Sequence, residues 1–269
     1  MPSDKLTVRG VSKIYSQDRG QVVLALDHTS LSVQEGEFVS LIGPSGCGKS
    51  TLLDLVAGLT TPDSGEILLA GQSIVGQRGK VSYMPQSDVL FPWCNVVDNV
   101  IIPLKLQGVP LAEARAEALA LLPAFGLEKF AASYPYMLSG GMKQRAAFLR
   151  TYLCKKDLML LDEPFGKLDA LTRMQMQGWL LDIWQRFKHS VLFVTHDVDE
   201  AILLSDRIFL MSPSPGKILV EIKIPLSRPR HPRMVTEKTF IEIKRELMRW
   251  LETGIFAQEE ETSWQNKEF

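Results

Sequence analysis

Apolar residues along the chain follow two different patterns. In the first third, short apolar runs separated by turn residues predict strands, beginning at Leu6, Val8 and Val11. The run at residues 38–42 is apolar almost throughout and ends at a glycine, which predicts a buried strand. Further runs of this kind predict strands at residues 22–26, 31–33, 67–69, 158–161, 191–195 and 208–211.

Helical spacing appears between these runs. Apolar residues predict helices over residues 50–59, 110–122 and 168–187, where Leu180, Trp184 and Phe187 share one face. Strands that alternate with helices indicate an α/β fold with a mainly parallel sheet. Because residues 88–156 have few strand signals, we predict a helical subdomain there, inserted into a core formed by residues 1–87 and 157–212, with a C-terminal extension over 213–269.

Composition narrows the classes of function. The 269 residues are 45% hydrophobic and have a formal net charge of −1, which favours a globular protein and argues against a nucleic-acid partner. The sequence predicts neither a secretory signal nor an apolar run long enough to span a bilayer. Three widely spaced cysteines, with no metal-binding spacing, suit a reducing compartment, and we expect Cys94 and Cys154 to be buried.

One glycine-rich loop predicts phosphate binding. It lies between a predicted strand and a predicted helix and matches G-x-x-x-x-G-K-[ST]. Its backbone N–H groups and the helix N-terminus would surround the phosphates, while Lys49 reaches the β- and γ-phosphates and Ser50 ligates Mg²⁺. The loop, called here the phosphate loop, consists of Gly43, Pro44, Ser45, Gly46, Cys47, Gly48, Lys49 and Ser50, and Thr51 follows it as a further nucleotide-binding candidate.

The chemistry of this loop leaves several functions open, because kinases, GTPases, helicases and transporters all use it. Cys47 lies within it at a helix N-terminus, where the pKa of a thiol can fall. A lowered pKa would make Cys47 open to alkylation.

A pair of acidic residues follows the strand predicted at residues 158–161. Asp162 would hold Mg²⁺ at the end of the sheet, and Glu163 would accept a proton from, or orient, the water that attacks the γ-phosphate. The alternative is a solvated turn. The phosphate loop upstream needs such a carboxylate, which favours the catalytic interpretation.

The segment Leu138-Ser139-Gly140-Gly141 lies about 20 residues before Asp162, inside the predicted helical insertion. With it, the chain resembles the ATPase subunits of ABC transporters over roughly residues 5–211. The resemblance implies a P-loop, RecA-like core with an antiparallel β part at the N-terminus. It also implies that Ser139, Gly140 and Gly141 contact the γ-phosphate of an ATP molecule bound by a second subunit.

Other family elements occur in family order. Tyr15 matches the aromatic residue that stacks on adenine, and Gln86 matches a glutamine that senses Mg²⁺ and the membrane partner. Residues 168–169 match a loop that touches the opposite subunit, and His196 matches the histidine that contacts the γ-phosphate. The resemblance therefore implies that Glu163, His196, Lys49 and Gln86 are catalytic, and that Ser50, Gln86 and Asp162 hold the metal.

Two further segments, at residues 90–100 and 162–173, are similar to the nitrate, sulfonate, taurine and bicarbonate importers, and thiamine-precursor importers share them. Residues 213–229 fit the same branch. Met142 and Lys167 depart from the family pattern; a solvated lysine is the simpler interpretation of Lys167. The loop Phe91-Pro92-Trp93 is either ordinary packing or part of a groove for a membrane subunit.

The resemblance implies a peripheral protein at the cytoplasmic face of the inner membrane. Its partners would be a second ATPase subunit, expected to be a second copy, transmembrane permease subunits and, indirectly, a solute-binding protein. A soluble ABC ATPase acting on DNA or ribosomes and a small-molecule kinase are the alternatives. Soluble ABC ATPases of that kind usually carry a long coiled coil, a second cassette in tandem or a zinc module, and this sequence has none of these signals. A small-molecule kinase would have no use for residues 138–141.

We expect the basic residues of the C-terminal extension, which include Arg228 and Arg230, to form a solvated helix face, with a regulatory contact as the alternative.

Overall fold

A computed structural model describes residues 4–16 and 22–265, and the side chains through Glu252. Two sheets and a set of helices build the fold. The strands are β1 (Asp4–Ser16), β2 (Val22–Gln34), β3 (Phe38–Ile42), β4 (Ser64–Leu69), β5 (Gln72–Ser73), β6 (Ser82–Met84), β7 (Leu158–Asp162), β8 (Ser190–Val194), β9 (Arg207–Met211) and β10 (Ile218–Lys223). The α-helices are α1 (Lys49–Val56), α2 (Val96–Val100), α3 (Ile102–Leu106), α4 (Leu111–Leu121), α5 (Gly140–Tyr152), α6 (Ala170–Phe187), α7 (Val198–Leu204) and α8 (Lys238–Gln265), with 3-10 turns at Glu128–Phe130, Pro135–Met137 and Pro232–Thr236.

The larger sheet has the order β10-β9-β3-β8-β7-β6. Its strands run parallel except at the β10 edge, where β10 pairs antiparallel with β9. The smaller sheet is antiparallel, with the order β2-β1-β4-β5. The predicted α/β class, with a mainly parallel core and an antiparallel N-terminal part, is confirmed.

Successive residues of the central strands point to opposite faces of the sheet and into two separate hydrophobic clusters. Phe38 and Ile42 of β3 point into a cluster with the helices, whereas Val39 and Leu41 point into a cluster with α1 and the antiparallel sheet. β7 and β8 divide in the same way. Because both faces are covered, these strands are apolar throughout, and that is the pattern from which they were predicted.

The first segment differs from its prediction. Instead of short strands, β1 and β2 are 13 residues each and pair along most of their length. Register shifts, for example between Val8 and Val11, interrupt the pairing. Each register shift changes which side chains face the core, so the alternation of apolar and polar residues is interrupted there. The apolar pattern therefore predicts several short strands in place of two long ones.

Two helix boundaries differ from their predictions. Helix α6 was predicted from residue 168 but begins at Ala170, because Asp169 caps it by accepting a hydrogen bond from the Thr172 N–H at 3.0 Å. Helix α1 was predicted to reach residue 59 but ends at Val56. Gly58, with φ of 70°, then turns the chain away.

The C-terminal extension packs on the core, so the prediction that Arg228 and Arg230 form a solvated face is wrong. Arg230 is buried and donates to the Ile202 and Ser205 carbonyls, at 3.1 and 2.6 Å, around the end of α7. Burial lowers the pKa of its guanidinium to about 10. Arg228 lies over the Trp184 ring at 3.9 Å and pairs with Asp206. In the described part of the chain, no helix has the length and apolar character needed to cross a membrane.

Candidate functional site

The phosphate loop runs from the end of β3 to the start of α1. Gly48 is the N-cap of α1 and has φ of 99°, a conformation that side chains rarely adopt. A methyl group at Gly48 would lie 2.7 Å from Leu26 Cδ2 and 2.8 Å from the Ala25 carbonyl oxygen. Only glycine therefore lets the loop turn into the helix so close to β2.

Lys49 is folded back into the loop. Its ammonium donates to the carbonyl oxygens of Gly43 at 2.8 Å and Pro44 at 2.9 Å, and the residue is only 6% exposed. The buried ammonium also lies 3.7 Å from the Cys47 thiol, so its three hydrogen-bond partners are all uncharged groups of the loop itself. This arrangement suits an anion in the loop.

Asp162 ends β7 beside the first turn of α1. The Ser50 hydroxyl donates to Asp162 Oδ1 at 3.5 Å. Burial is the main cause that raises the pKa of the Asp162 carboxyl, and the neighbouring Glu163 adds to it. A bound cation would offset this desolvation, and the two oxygen donors are of the kind that Mg²⁺ takes.

Glu163 stands at the centre of the site. Its backbone has φ of 42°, and its N–H donates to the Val194 carbonyl at 2.9 Å. Its Oε2 accepts a hydrogen bond from Gln86 Nε2 at 3.0 Å and lies 3.2 Å from His196 Nδ1. The segments after β6, β7 and β8 thus bring Gln86, Glu163 and His196 together, because parallel strands end at the same edge of the sheet.

The residues on either side of His196 belong to a hydrogen-bond network that was not predicted from the sequence. The Thr195 hydroxyl donates to Glu200 Oε2 at 2.6 Å and accepts from the Asp197 N–H at 3.0 Å. Asp197 in turn caps α7 by accepting from the N–H groups of Asp199 and Glu200. One sequence signal could have indicated this network: Asp197 is followed by acidic residues in the first turn of α7, which is the pattern of a helix N-terminus.

Part of the phosphate loop, Gln86 and Glu163 border a cleft of about 380 Å³, whereas Asp162 and His196 are not among the residues that line it. Val23, Ala25 and Ser214 also line it, and no motif in the sequence marked them. The lining consists of Tyr15, Val23, Ala25, Ser45, Gly46, Gly48, Lys49, Ser50, Thr51, Gln86, Glu163 and Ser214.

The predicted residues Ser139, Gly140 and Gly141 lie outside this cleft. Ser139 caps the 13-residue helix α5 by accepting from the Met142 N–H at 3.3 Å. Ser139 and Gly140 are exposed. The N-terminus of α5 therefore faces solvent in the single chain, away from the phosphate loop of the same chain.

Known proteins are similar to this chain in sequence and in fold. A family model described as "ABC transporter" matches residues 26–166, just over half of the chain. The chain belongs to the ABC transporter family. It is 41% identical to the aliphatic sulfonates import ATP-binding protein SsuB of Bacillus cereus, over 94% of this chain and 98% of that one.

Two further relatives support the family assignment. The chain is 42% identical to the formylaminopyrimidine import ATP-binding protein ThiZ of Halalkalibacterium halodurans, over 84% of this chain and 86% of the relative. Among solved structures, a dimeric ATP-binding cassette in a post-hydrolysis state, bound to ADP and Pi, matches with a TM-score of 0.71 and 30% identity. That match covers 82% of this chain and 100% of the other.

This ABC transporter protein departs from one expectation about its cysteines. Cys47 is fully buried, and burial raises the pKa of its thiol, although the nearby Lys49 opposes the rise. The prediction of a lowered pKa at this helix N-terminus is wrong, because desolvation of the thiolate outweighs the helix end. Cys94 and Cys154 are half-buried instead of buried.

Lys167, the other departure, is exposed, and its ammonium donates to the Ser87 hydroxyl at 3.1 Å. It links the segment after Glu163 to the segment after Gln86. Surface contacts of this kind contribute little free energy, so the solvated-lysine interpretation is largely retained.

The aromatic loop after Gln86 is exposed but held by hydrogen bonds. Phe91 and Trp93 stack with ring centroids 5.2 Å apart, and Trp93 is 72% exposed. The buried Asn99 side chain binds both backbone groups of Phe91, at 2.7 and 3.1 Å. Arg150 of α5 donates to the carbonyls of residues 88 and 89. The loop is therefore held in place while presenting two stacked rings to solvent.

Proposed function

We propose that this protein is the ATP-hydrolysing subunit of an ABC importer and works at a dimer interface to drive solute uptake through separate membrane subunits. The observation that carries the proposal is the position of Glu163. Its carboxylate is held between Gln86 and His196, at the sheet edge where the phosphate loop also begins. A carboxylate so placed serves hydrolysis, whereas phosphate binding alone would not require it.

We propose a separate part of the cleft for each end of ATP. Tyr15 and Val23 form the wall for the base, and the phosphate loop with Lys49 takes the phosphates. Glu163 orients the attacking water and accepts its proton during in-line attack on the γ-phosphorus. His196 and Gln86 hold the Glu163 carboxylate, and His196 binds the γ-phosphate. The loop amides and the Lys49 ammonium stabilise the charge that develops on the phosphate oxygens.

Ser50 and Asp162 would hold Mg²⁺, with Gln86 as a further oxygen donor. The raised pKa of Asp162 and its hydrogen bond with Ser50 fit a site that a divalent cation completes. The described residues contain no cluster of three or more His, Cys, Asp or Glu side chains that could hold a metal. Mg²⁺ usually takes only one or two protein ligands, and phosphate oxygens and waters fill its other coordination positions. When bound, it would neutralise charge at the transferred phosphate.

The exposed N-terminus of α5 supports a composite site. The thirteen-residue helix starts at the exposed Ser139 and Gly140, followed by the buried Gly141, and an exposed helix N-terminus is an arrangement that binds anions. We propose that Ser139, Gly140 and Gly141 of one copy complete the ATP site of a second copy. The dimeric state of the related cassette supports this arrangement.

Replacing Ser139 with aspartate tests the composite site. Aspartate is as good an N-cap as serine, so α5 should keep its stability, but its charge would repel a phosphate across the interface. We expect the rate of ATP hydrolysis to fall by about tenfold or more, measured as phosphate release. Asn95→Asp, which exchanges the cap of α2 in the same way, is the control. Normal hydrolysis by Ser139→Asp would show that Ser139 only caps its helix.

The rest of the proposal concerns the membrane. We place the protein at the cytoplasmic face of the inner membrane, peripherally bound to permease subunits, with a solute-binding protein acting through them. SsuB and ThiZ are named for import of an aliphatic sulfonate and of a formylaminopyrimidine. The solute here belongs to the same range of nitrate, sulfonate, taurine, bicarbonate or thiamine-precursor compounds, and other subunits recognise it.

Co-purification with a permease tests the function. With candidate permease subunits co-expressed, we expect the wild-type protein to co-purify with the membrane subunits and to hydrolyse ATP. Truncating the exposed ring in Trp93→Ala should weaken this association by about tenfold, while ATPase activity of the isolated subunit stays the same. Trp250→Ala, at another exposed tryptophan, is the control. Retrieval of the protein with ribosomes or DNA instead of a permease would contradict the transport function.

A further inference from the structure

The segment that connects β9 and β10, residues 212–217, has a defined shape; it is called here the 212–217 loop. The Ser212 N–H donates to the Lys217 carbonyl at 2.8 Å, and the Ser212 hydroxyl accepts from the Lys217 N–H at 2.9 Å. The same hydroxyl lies 2.9 Å from the carbonyl oxygens of Pro213 and Pro215. One buried side chain thus closes the loop on itself.

Gly216 attaches this loop to the antiparallel sheet. Its N–H donates to the Ala25 carbonyl and its own carbonyl accepts from the Asp27 N–H, both at 3.0 Å. The Thr29 hydroxyl, which is fully buried, donates to the same carbonyl at 2.8 Å. Both backbone groups of Gly216 are therefore bound by β2, and the loop cannot shift without breaking these bonds.

Gly216 also lies directly behind the phosphate loop. A methyl group added there would overlap the Cys47 carbonyl oxygen and would lie 2.5 Å from Met211 Cε. The φ of Gly216 is outside the left-handed region, so an alanine would meet no backbone strain. The requirement for glycine is steric: the backbone of the phosphate loop occupies the space that a side chain would need.

The other side of the 212–217 loop reaches the cleft. Ser214 is exposed and lines the cleft together with Tyr15, Ala25 and Ser45. The same six residues thus support the phosphate loop from behind and form a wall of the space in front of it.

We propose that the 212–217 loop is a part of the nucleotide site. Gly216 is a positioning residue that keeps the phosphate loop, through Cys47, in the shape that receives the phosphates, and Ser214 borders the bound nucleotide. This inference rests on the proposed function, because it takes the nucleotide to be ATP.

The first test is Gly216→Ala, compared with Gly178→Ala. At Gly178 the added methyl would lie 3.5 Å from Pro232 Cγ, an ordinary contact, so this variant is the matched control. A displacement of about 1 Å in a binding group can weaken the interaction it makes by a large factor. We therefore expect the Kd for ATP to rise at least about tenfold in Gly216→Ala. Because the effect acts through the phosphate loop, the Kd for inorganic tripolyphosphate should rise by a similar factor.

A folded Gly216→Ala protein whose Kd for both ligands equals that of the wild type would overturn the role of Gly216. Thermal unfolding and circular dichroism without nucleotide establish whether the variant is folded. A wild-type protein that binds no ATP would instead contradict the proposed function itself.

A second variant, Ser214→Leu, keeps the inference open to test if Gly216→Ala does not fold. Ser214 is exposed, so leucine there should leave the fold intact but narrow the cleft. We expect the Kd for ATP to rise by about tenfold and the Kd for tripolyphosphate to stay within error of the wild type. An unchanged Kd for ATP would show that the 212–217 loop does not border the nucleotide.

Discussion

Replacing Glu163 with glutamine is expected to lower the rate of ATP hydrolysis by about three orders of magnitude, with little effect on ATP affinity. Glutamine keeps the shape of the side chain and can still bond with Gln86 and His196, but it cannot take the proton of the attacking water. Without hydrolysis, ATP should stay bound and hold two copies together. Phosphate release measures the rate, and size-exclusion chromatography with ATP and Mg²⁺ measures the dimer.

The control is Glu66→Gln, at an exposed glutamate on the antiparallel sheet. Its ATPase activity should equal that of the wild type. Near-normal hydrolysis by Glu163→Gln would remove Glu163 from the catalytic step and would leave its contacts with Gln86 and His196 without a chemical role.

Replacing Lys49 with alanine is expected to raise the Kd for ATP by about 100-fold. The variant loses the ammonium that would bind the β- and γ-phosphates. It also leaves the carbonyls of Gly43 and Pro44 without their donor, so the phosphate loop should lose its shape. Calorimetric titration with ATP measures the affinity, and thermal unfolding separates this loss from a general loss of stability.

Lys80→Ala, at an exposed lysine, provides the comparison and should bind ATP like the wild type. Binding of ATP by Lys49→Ala with an affinity close to that of the wild type would refute the role of the ammonium.

The strands of the core were predictable because their environment is uniform. β3, β7 and β8 are covered on both faces, so nearly every residue is apolar, and a short run of the sequence is enough to identify them. β10 was not predicted; it is an edge strand whose residues alternate between half-buried and exposed, so it has no fully buried apolar run like those of β3, β7 and β8. Arg230 was misjudged because its acceptors, carbonyls near residues 202–205, are distant in the sequence and give no local pattern.

Some features of the site could likewise be predicted from the sequence, and others could not. The phosphate loop is a contiguous motif, so the sequence alone identified it. The effect of burial on Cys47 could not be predicted, because the buried cluster that contains Cys47 is built from segments far apart in the sequence. The domain boundaries stay a prediction, and the roles of the individual site residues stay predictions that the proposed variants test.

The sequence by itself determined the fold class, the family and the candidate residues, because each of these depends on short contiguous patterns or on their order along the chain. Only the tertiary structure decided which of those residues come into contact. Gln86, Glu163 and His196 come from three strands and are brought within hydrogen-bonding distance by the parallel sheet, whereas Ser139 is directed outward by α5. The support of the phosphate loop by Gly216 likewise depends on a contact between segments about 170 residues apart, which no local pattern records.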